Sequence, residues 1–162
     1  QRYEYVRDSV FRSHPWNCLI RRVILAPDTA EPAFEFGKQF TLPTDPYCLR
    51  VLNIDDSDTI FRVEGRKILC NEDTVNLTYV ARITDPAQYD LSLTETLAAA
   101  LAADTAYAII GSTSLAANMV ALYDKKLSEA RFVDATEGMP GAVVNVADAG
   151  SIEANTFIKS RF

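Results

Sequence analysis

The stretch SHPWNCLIRRVILAP, residues 13–27, holds the only histidine and the only tryptophan of the chain. Pro15 ends any helix that precedes it, because its ring removes a backbone donor and keeps His14 out of the helical region. Trp16 then lies where the chain turns, and a large ring at such a point can wedge between two elements. Asn17 can cap the next short segment. We therefore predict a structural corner made of His14, Pro15, Trp16 and Asn17.

The same stretch places His14 four residues before Cys18, and these residue types can act as base and nucleophile in a hydrolase. Such a pair also needs a group that orients the histidine and donors that stabilise an oxyanion, and the sequence indicates neither. One histidine and three widely spaced cysteines give no ligand spacing for zinc. The sequence therefore predicts no catalytic residue, no metal site and no cofactor.

The segments on both sides of the corner are predicted to be helical. Before it, apolar residues recur at helical spacing from the first residues, and no capping residue precedes the run. After it, CLIRRVILA is ambiguous between a helix and a strand. We favour a helix, because Leu19, Val23 and Ala26 would share one face.

The middle of the chain is predicted to be extended. Residues 27–46 contain four of the seven prolines and read as a connector, along which Phe34, Phe36 and Phe40 could serve as anchors. The hydrophobic period then changes to two, which is typical of strands that bury one face. Gly65-Arg66 predicts a tight hairpin turn. The strands predicted to form a small antiparallel sheet span residues 47–54, 59–65, 66–70 and 75–83.

Helical patterns return at Asp85-Pro86, where an aspartate precedes a proline at the first helical position. Ser92 begins a capping-box pattern, and an apolar stripe that includes Leu93, Leu97 and Ile109 follows it as predicted core. Gly111 ends this helix, and Ser114 is predicted to cap a second one that runs to about residue 135. The short connection predicts an antiparallel helical hairpin, and the alanines let its two helices approach closely.

These patterns together predict an α+β fold: an antiparallel helical bundle with an inserted small antiparallel β-sheet and an extended C-terminal tail. The helical body comprises residues 1–26 and 85–136, the inserted β-sheet subdomain residues 45–84, and the tail residues 137–162. The tail combines glycines with apolar side chains, so we predict that it becomes ordered against a partner. The tail residues predicted to make this contact are Ile152, Phe157, Ile158, Lys159, Arg161 and Phe162.

Composition excludes several classes of partner. Sixteen Lys and Arg residues against 22 Asp and Glu residues give a net charge of −6, which disfavours a surface that grips nucleic-acid phosphates. An odd number of scattered cysteines favours free thiols in a reducing compartment. The sequence contains no apolar run of the length that a membrane span needs, so no membrane span is predicted. The acidic run at residues 55–58 lacks the glycine and distal glutamate of an EF-hand loop, so it is predicted to be a solvated turn.

Four collinear segments resemble the tail tubular protein A family, the adaptor proteins of short-tailed bacteriophages. They are HPWNCLIRRVILAP, FEFGKQFTLPTDPYCLRVLNI, FRVEGRKIL and YVARITDPAQYDLSLTETLAAALA, and the resemblance runs from about residue 3 to residue 135. The most specific parts are HPW, the LP-x-D pattern followed by CLRV, and TDPAQYD. The chain departs from the family pattern where Pro46 and Tyr47 separate Asp45 from CLRV.

The resemblance implies a structural role in the virion. Adaptors of this family form a ring at the head-to-tail junction, expected to be dodecameric like the portal. The ring joins the portal protein to the tail nozzle protein, and DNA passes through it on ejection without specific binding. Such a ring would be assembled in the host cytoplasm. Two alternatives stay open: a non-viral protein-binding module that uses a sheet edge, and a tail-associated hydrolase.

Overall fold

The computed structural model describes residues 2–54 and 58–137. Two short 3-10 helices, Asn17–Leu19 and Pro86–Gln88, flank the β-structure. The regular elements are α1 (Arg2–Ser13), β1 (Ile20–Leu25), β2 (Lys38–Thr41), β3 (Cys48–Ile54), β4 (Arg62–Glu64), β5 (Lys67–Cys70), β6 (Val75–Ala81), α2 (Leu91–Ile110) and α3 (Thr113–Glu137).

The strands form two antiparallel sheets of three strands each. In the first sheet β6 lies between β1 and β3, and in the second β5 lies between β2 and β4. The predicted period of two holds in the first part of β6, where Val75, Leu77 and Tyr79 are buried on one face, but Val80 on the opposite face is buried as well. Gly65 and Arg66 form the predicted two-residue turn between β4 and β5, and Gly65 has a φ of 58°. Such a turn needs a positive φ, which glycine adopts without strain.

The predicted antiparallel helical bundle with an inserted sheet is wrong. The molecule is α+β, with three helices and two small sheets, and its six strands precede the α2–α3 pair. The error begins in CLIRRVILA, which we predicted to be a helix. Only Asn17–Leu19 forms a helical turn there, and Ile20–Leu25 is strand β1. This strand pairs with β6 along its whole length, and cross-strand pairing of branched side chains outweighs the local helical spacing.

The connector and the helix caps also differ in detail from the sequence prediction. Residues 27–46 contain strand β2, in which Phe40 is buried, whereas Phe34 is exposed. Helix α2 is capped by Asp90 rather than by Ser92, and the Ser112 hydroxyl rather than Ser114 lies at the start of α3. Gly111 ends α2 as predicted, with a left-handed φ of 70°.

The TDPAQYD segment joins β6 to α2 through a compact turn. The Asp85 carboxylate accepts a hydrogen bond from the Ala87 N–H at 3.0 Å. Tyr89 donates its hydroxyl to the Ile83 carbonyl at 2.7 Å, and its ring meets the Phe11 ring edge-on at 5.3 Å between centroids. Burial raises the pKa of Tyr89 to about 12. The turn therefore ties the last strand to both α1 and the helical hairpin.

We expect Asp90→Ala to lower the free energy of unfolding by about 1 kcal/mol at neutral pH, the usual loss for a removed N-cap. Asp90 accepts hydrogen bonds from the Ser92 hydroxyl and from the Ser92 N–H, and these contacts lower the pKa of its carboxyl group. Because the folded-state pKa is lowered, the stabilisation is present at neutral pH and is lost as pH falls through that pKa. Urea unfolding at several pH values measures both effects. The control is Asp90→Ser, which keeps a capping oxygen; an equal loss in both variants would contradict the capping role.

One hydrophobic core runs through both sheets and the three helices. Its largest fully buried side chains include Phe11 of α1, Phe40 of β2 and Ile68 of β5. Leu93 and Leu97, in the first half of α2, belong to the same core, and so does Ala130 in the last turns of α3. The core therefore fixes the base of the α2–α3 hairpin against the sheets.

Candidate functional site

The predicted corner lies against the last turns of α3, where Asp134 binds it through both its carboxylate and its backbone carbonyl. One oxygen of Asp134 is 3.0 Å from His14 Nε2, and the other accepts a hydrogen bond from the Asn17 N–H at 2.9 Å. The Asn17 side chain donates to the Asp134 carbonyl at 2.7 Å. Asp134 is only 6% exposed. These contacts join the first part of the chain to the end of α3.

Trp16 fills the space between the corner and the core. The side chain is 0% exposed, and its Nε1 donates to the Val10 carbonyl at 3.0 Å, near the end of α1. The His14 ring meets the Trp16 ring at 4.9 Å between centroids. Asn17 does not cap the following turn as we predicted: it is the first residue of that turn, and its side chain binds α3 instead.

Asp134 is also the orienting carboxylate for His14 that the sequence did not reveal. It is separated from His14 by 120 positions, so no local spacing points to it. Burial is the main cause of a raised pKa at Cys18, and the nearby carboxylates of Asp134 and Asp90 raise it further. Within the described part of the chain, no hydrogen bond joins His14 to Cys18. The raised pKa disfavours the thiolate form of Cys18, whereas nucleophilic cysteines need a lowered pKa.

Other candidate residues from the sequence are separated from this corner or lie outside the described residues. Residues 137–162 were predicted as the assembly tail, and all six of its named contact residues lie beyond residue 137, where the description ends. The acidic run at 55–58 is described only at Asp58. Over residues 2–54 and 58–137, no group of three or more His, Cys, Asp or Glu side chains is arranged to hold a metal ion. The three cysteines are free thiols.

An apolar surface lies at the far end of the α2–α3 hairpin. We call residues 105–123 the hairpin tip; this run contains no charged residue. Its large side chains face solvent, and Ile109, predicted as core, is 77% exposed. The exposed large hydrophobic residues of the tip are Tyr107, Ile109, Ile110, Val120 and Leu122.

A groove continues this apolar surface toward α1. It has a volume of about 510 Å³ and lies between α1, α2 and α3. Val6, Ala100 and Val120 are among its apolar lining residues, and Val120 belongs to the hairpin tip as well. An ion pair between Arg2 and Asp104 lies at the groove.

Helix α2 meets the length and composition criteria for a membrane-spanning helix, contrary to our expectation from the sequence. The helix comprises Leu91–Ile110, and 33% of its most apolar 18-residue stretch is buried inside the structure. A helix that packs into a protein core meets the same criteria, and the first half of α2 does so through Leu93 and Leu97. The last exposed residues of α2, from Tyr107 to Ile110, belong to the hairpin tip.

Comparison with known proteins adds no family to this description: no family model matches the chain, and no curated protein matches it.

Proposed function

We propose that this chain is the structural subunit of an adaptor ring in a short-tailed bacteriophage. The ring joins the portal to the tail nozzle and surrounds the channel through which DNA leaves the head. The collinear sequence motifs support this proposal, and the exposed hairpin tip is the structural observation that carries it.

The tip is the kind of surface that a subunit covers on assembly. Monomeric proteins rarely expose contiguous apolar patches larger than a few hundred Å² unless the patch binds something. Here Ile109, Ile110 and Tyr107 cluster at one end of the hairpin, with no charge within the run to hold them in water. Burying apolar area contributes about 25 cal/mol per Å². Covering this tip by a neighbouring subunit therefore stabilises an assembly.

The same chain also offers a surface that could receive the tip. The groove between α1, α2 and α3 is mostly apolar; it shares Val120 with the hairpin tip, but Ile109 and Ile110 do not line it. A patch that fits a different patch on the next copy gives a head-to-tail contact, which closes into a ring when the rotation allows. We therefore propose the tip and the groove as the two sides of the subunit contact.

The charge of the chain is compatible with a channel that DNA traverses. A net charge of −6 repels the phosphate backbone, so DNA in transit is not retained by counter-ion release.

A non-viral binding module remains the second candidate, because β1 is an edge strand of the first sheet and its Ile24 is exposed. An edge strand can pair with an extended segment of a partner. Such a module has no need to form a ring, so the assembly state separates the two functions.

We expect the double variant Ile109→Asp/Ile110→Asp to prevent ring formation by the full chain while leaving the fold intact. Two carboxylates at the tip would have to lose their hydration in the subunit contact, which is costly without partners. Sedimentation velocity and negative-stain images, recorded with and without portal rings, measure assembly.

The matched control is Ile60→Asp, since Ile60 is 79% exposed and lies outside the hairpin. It is expected to assemble like the unmodified chain. A compact monomer from the unmodified chain in the presence of portal, or rings from the tip variant, would contradict the proposal. Insertion of the tip into lipid vesicles instead of ring formation would point to a membrane role.

A further inference from the structure

A second cleft, away from the α2–α3 hairpin, is lined by positively charged side chains, although the protein as a whole is acidic. It has a volume of about 350 Å³ and lies between the end of α1, strand β3 and the β4–β5 hairpin. Three arginines line it: Arg12 from the last turn of α1, Arg50 from β3, and Arg66 from the β4–β5 turn. Nothing in the proposed ring contact uses these side chains.

Arg66 is held rigidly in this cleft. Its guanidinium donates to the Cys48 carbonyl at 2.8 Å and to the Pro43 carbonyl at 2.6 Å. It also lies 3.9 Å from the centroid of the Tyr47 ring. These partners are uncharged, so they orient the guanidinium without cancelling its positive charge. Arg82 lies 4.3 Å from the same ring, and the Asp8 carboxylate neutralises it at 2.6 Å.

Arg50 and Arg12 are the other two positively charged residues that line the cleft. Arg50 donates one N–H to the Arg12 carbonyl at 3.2 Å, which fixes its guanidinium beside the end of α1. Within the described residues, 2–54 and 58–137, none of the three cleft arginines forms an ion pair with a carboxylate. Burial raises the pKa of the Cys48 thiol, and the charges of Arg66 and Arg12 act in the opposite direction. Both charges are therefore felt at the same buried sulfur, which lines the cleft.

Three cations around one small cleft repel one another, and an anion between them relieves that repulsion. A single carboxylate carries one negative charge. A phosphate monoester or inorganic phosphate carries nearly two, and its oxygens accept hydrogen bonds from guanidinium groups in pairs. The volume of the cleft also exceeds that of the anionic group alone, leaving room for an attached small moiety.

We propose that this cleft is a binding site for a dianionic phosphate group, either free or carried by a small molecule. Arg66 provides the fixed donor, and Arg50 and Arg12 provide the two further charges. The site lies apart from the hairpin tip, so its occupancy does not depend on the proposed ring.

Titration calorimetry of the full chain with inorganic phosphate tests the site, with sulfate, acetate and a short DNA duplex as separate ligands. We expect one saturable phosphate site per chain, with similar binding of sulfate and at least tenfold weaker binding of acetate. Arg12→Gln and Arg50→Gln are each expected to weaken phosphate binding about tenfold, as for loss of a charge-assisted hydrogen bond. Arg22→Gln is the matched control, because Arg22 is exposed on β1 and lines a different surface.

Thermal melts of each variant establish that it is folded. Arg12 is exposed, so its variant keeps the test decisive even if Arg50→Gln proves unstable. Absence of phosphate binding, equal binding in the Arg12 variant and the Arg22 control, or acetate binding as tight as phosphate would each overturn the proposal. Binding of the DNA duplex alone, with the same dependence on Arg12, would replace it with a nucleic-acid surface. The phosphate site is supported if the unmodified chain binds phosphate tightly and both Arg12→Gln and Arg50→Gln lose that binding.

Discussion

Trp16→Ala is expected to lower the free energy of unfolding by about 3–5 kcal/mol, the range for a buried aromatic side chain truncated to alanine. Trp16 is fully buried between α1 and the corner, in contact with the shared core. The substitution leaves a cavity beneath the corner and also removes the hydrogen bond that Nε1 donates to the Val10 carbonyl. The Val10 carbonyl keeps the hydrogen bond that the Ser13 hydroxyl donates at 2.7 Å, so the loss of stability comes mainly from the cavity.

Urea unfolding followed by circular dichroism measures this effect, since the variant lacks the only tryptophan and cannot be followed by its fluorescence. Tyr5→Ala is the control, because Tyr5 is an exposed aromatic residue of α1. It is expected to change stability by less than about 0.5 kcal/mol. An unfolding midpoint for Trp16→Ala that equals that of the control would mean that the ring contributes nothing to the core.

The sequence predicted the strands most accurately where one buried face imposed an alternation. In β6, residues such as Leu77 and Tyr79 must all face the core, so a period of two is the only pattern that buries them. The spacing in CLIRRVILA fits a helix and a strand equally. Its outcome is decided by pairing with β6, whose paired residues lie 50 to 60 positions further along the chain. Local periodicity contains no information about that partner.

The residues of the candidate site differ in the same way: some could be predicted from their sequence neighbours, and others depend on contacts with distant parts of the chain. Pro15 marks the corner, because a proline constrains its immediate neighbours whatever the rest of the fold does. Asp134 could not be identified in the same way, since its contacts with His14 and Asn17 form only after the chain folds. The hairpin tip was missed for another reason. An apolar helical stripe has the same pattern whether it packs in its own core or against another molecule, as Ile109 shows.

Asp134→Ala is expected to lower the free energy of unfolding by about 2–4 kcal/mol, because it leaves buried polar groups without a partner. The carboxylate accepts from the Asn17 N–H and meets His14 Nε2, and both contacts are largely shielded from water. The hydrogen bond from the Asn17 side chain to the Asp134 carbonyl involves the backbone and can survive the substitution. The variant therefore weakens the corner without removing every tie to α3.

Glu129→Ala is the matched control, since it makes the same kind of change on an exposed position of α3 and so corrects for helix propensity. Urea unfolding of both variants, together with His14→Ala and the double variant, gives the coupling energy between Asp134 and His14. We expect a coupling of about 1 kcal/mol or more, as for residues that share one hydrogen-bonded network. If Asp134→Ala is no less stable than Glu129→Ala, the corner is held by the packing of Trp16 and by the remaining hydrogen bonds to α3, which Asn17 donates to the Asp134 carbonyl and Arg131 donates to the Ser13 carbonyl. In that case the base of the hairpin, and with it the direction in which the apolar tip points, depends on core packing and not on this carboxylate.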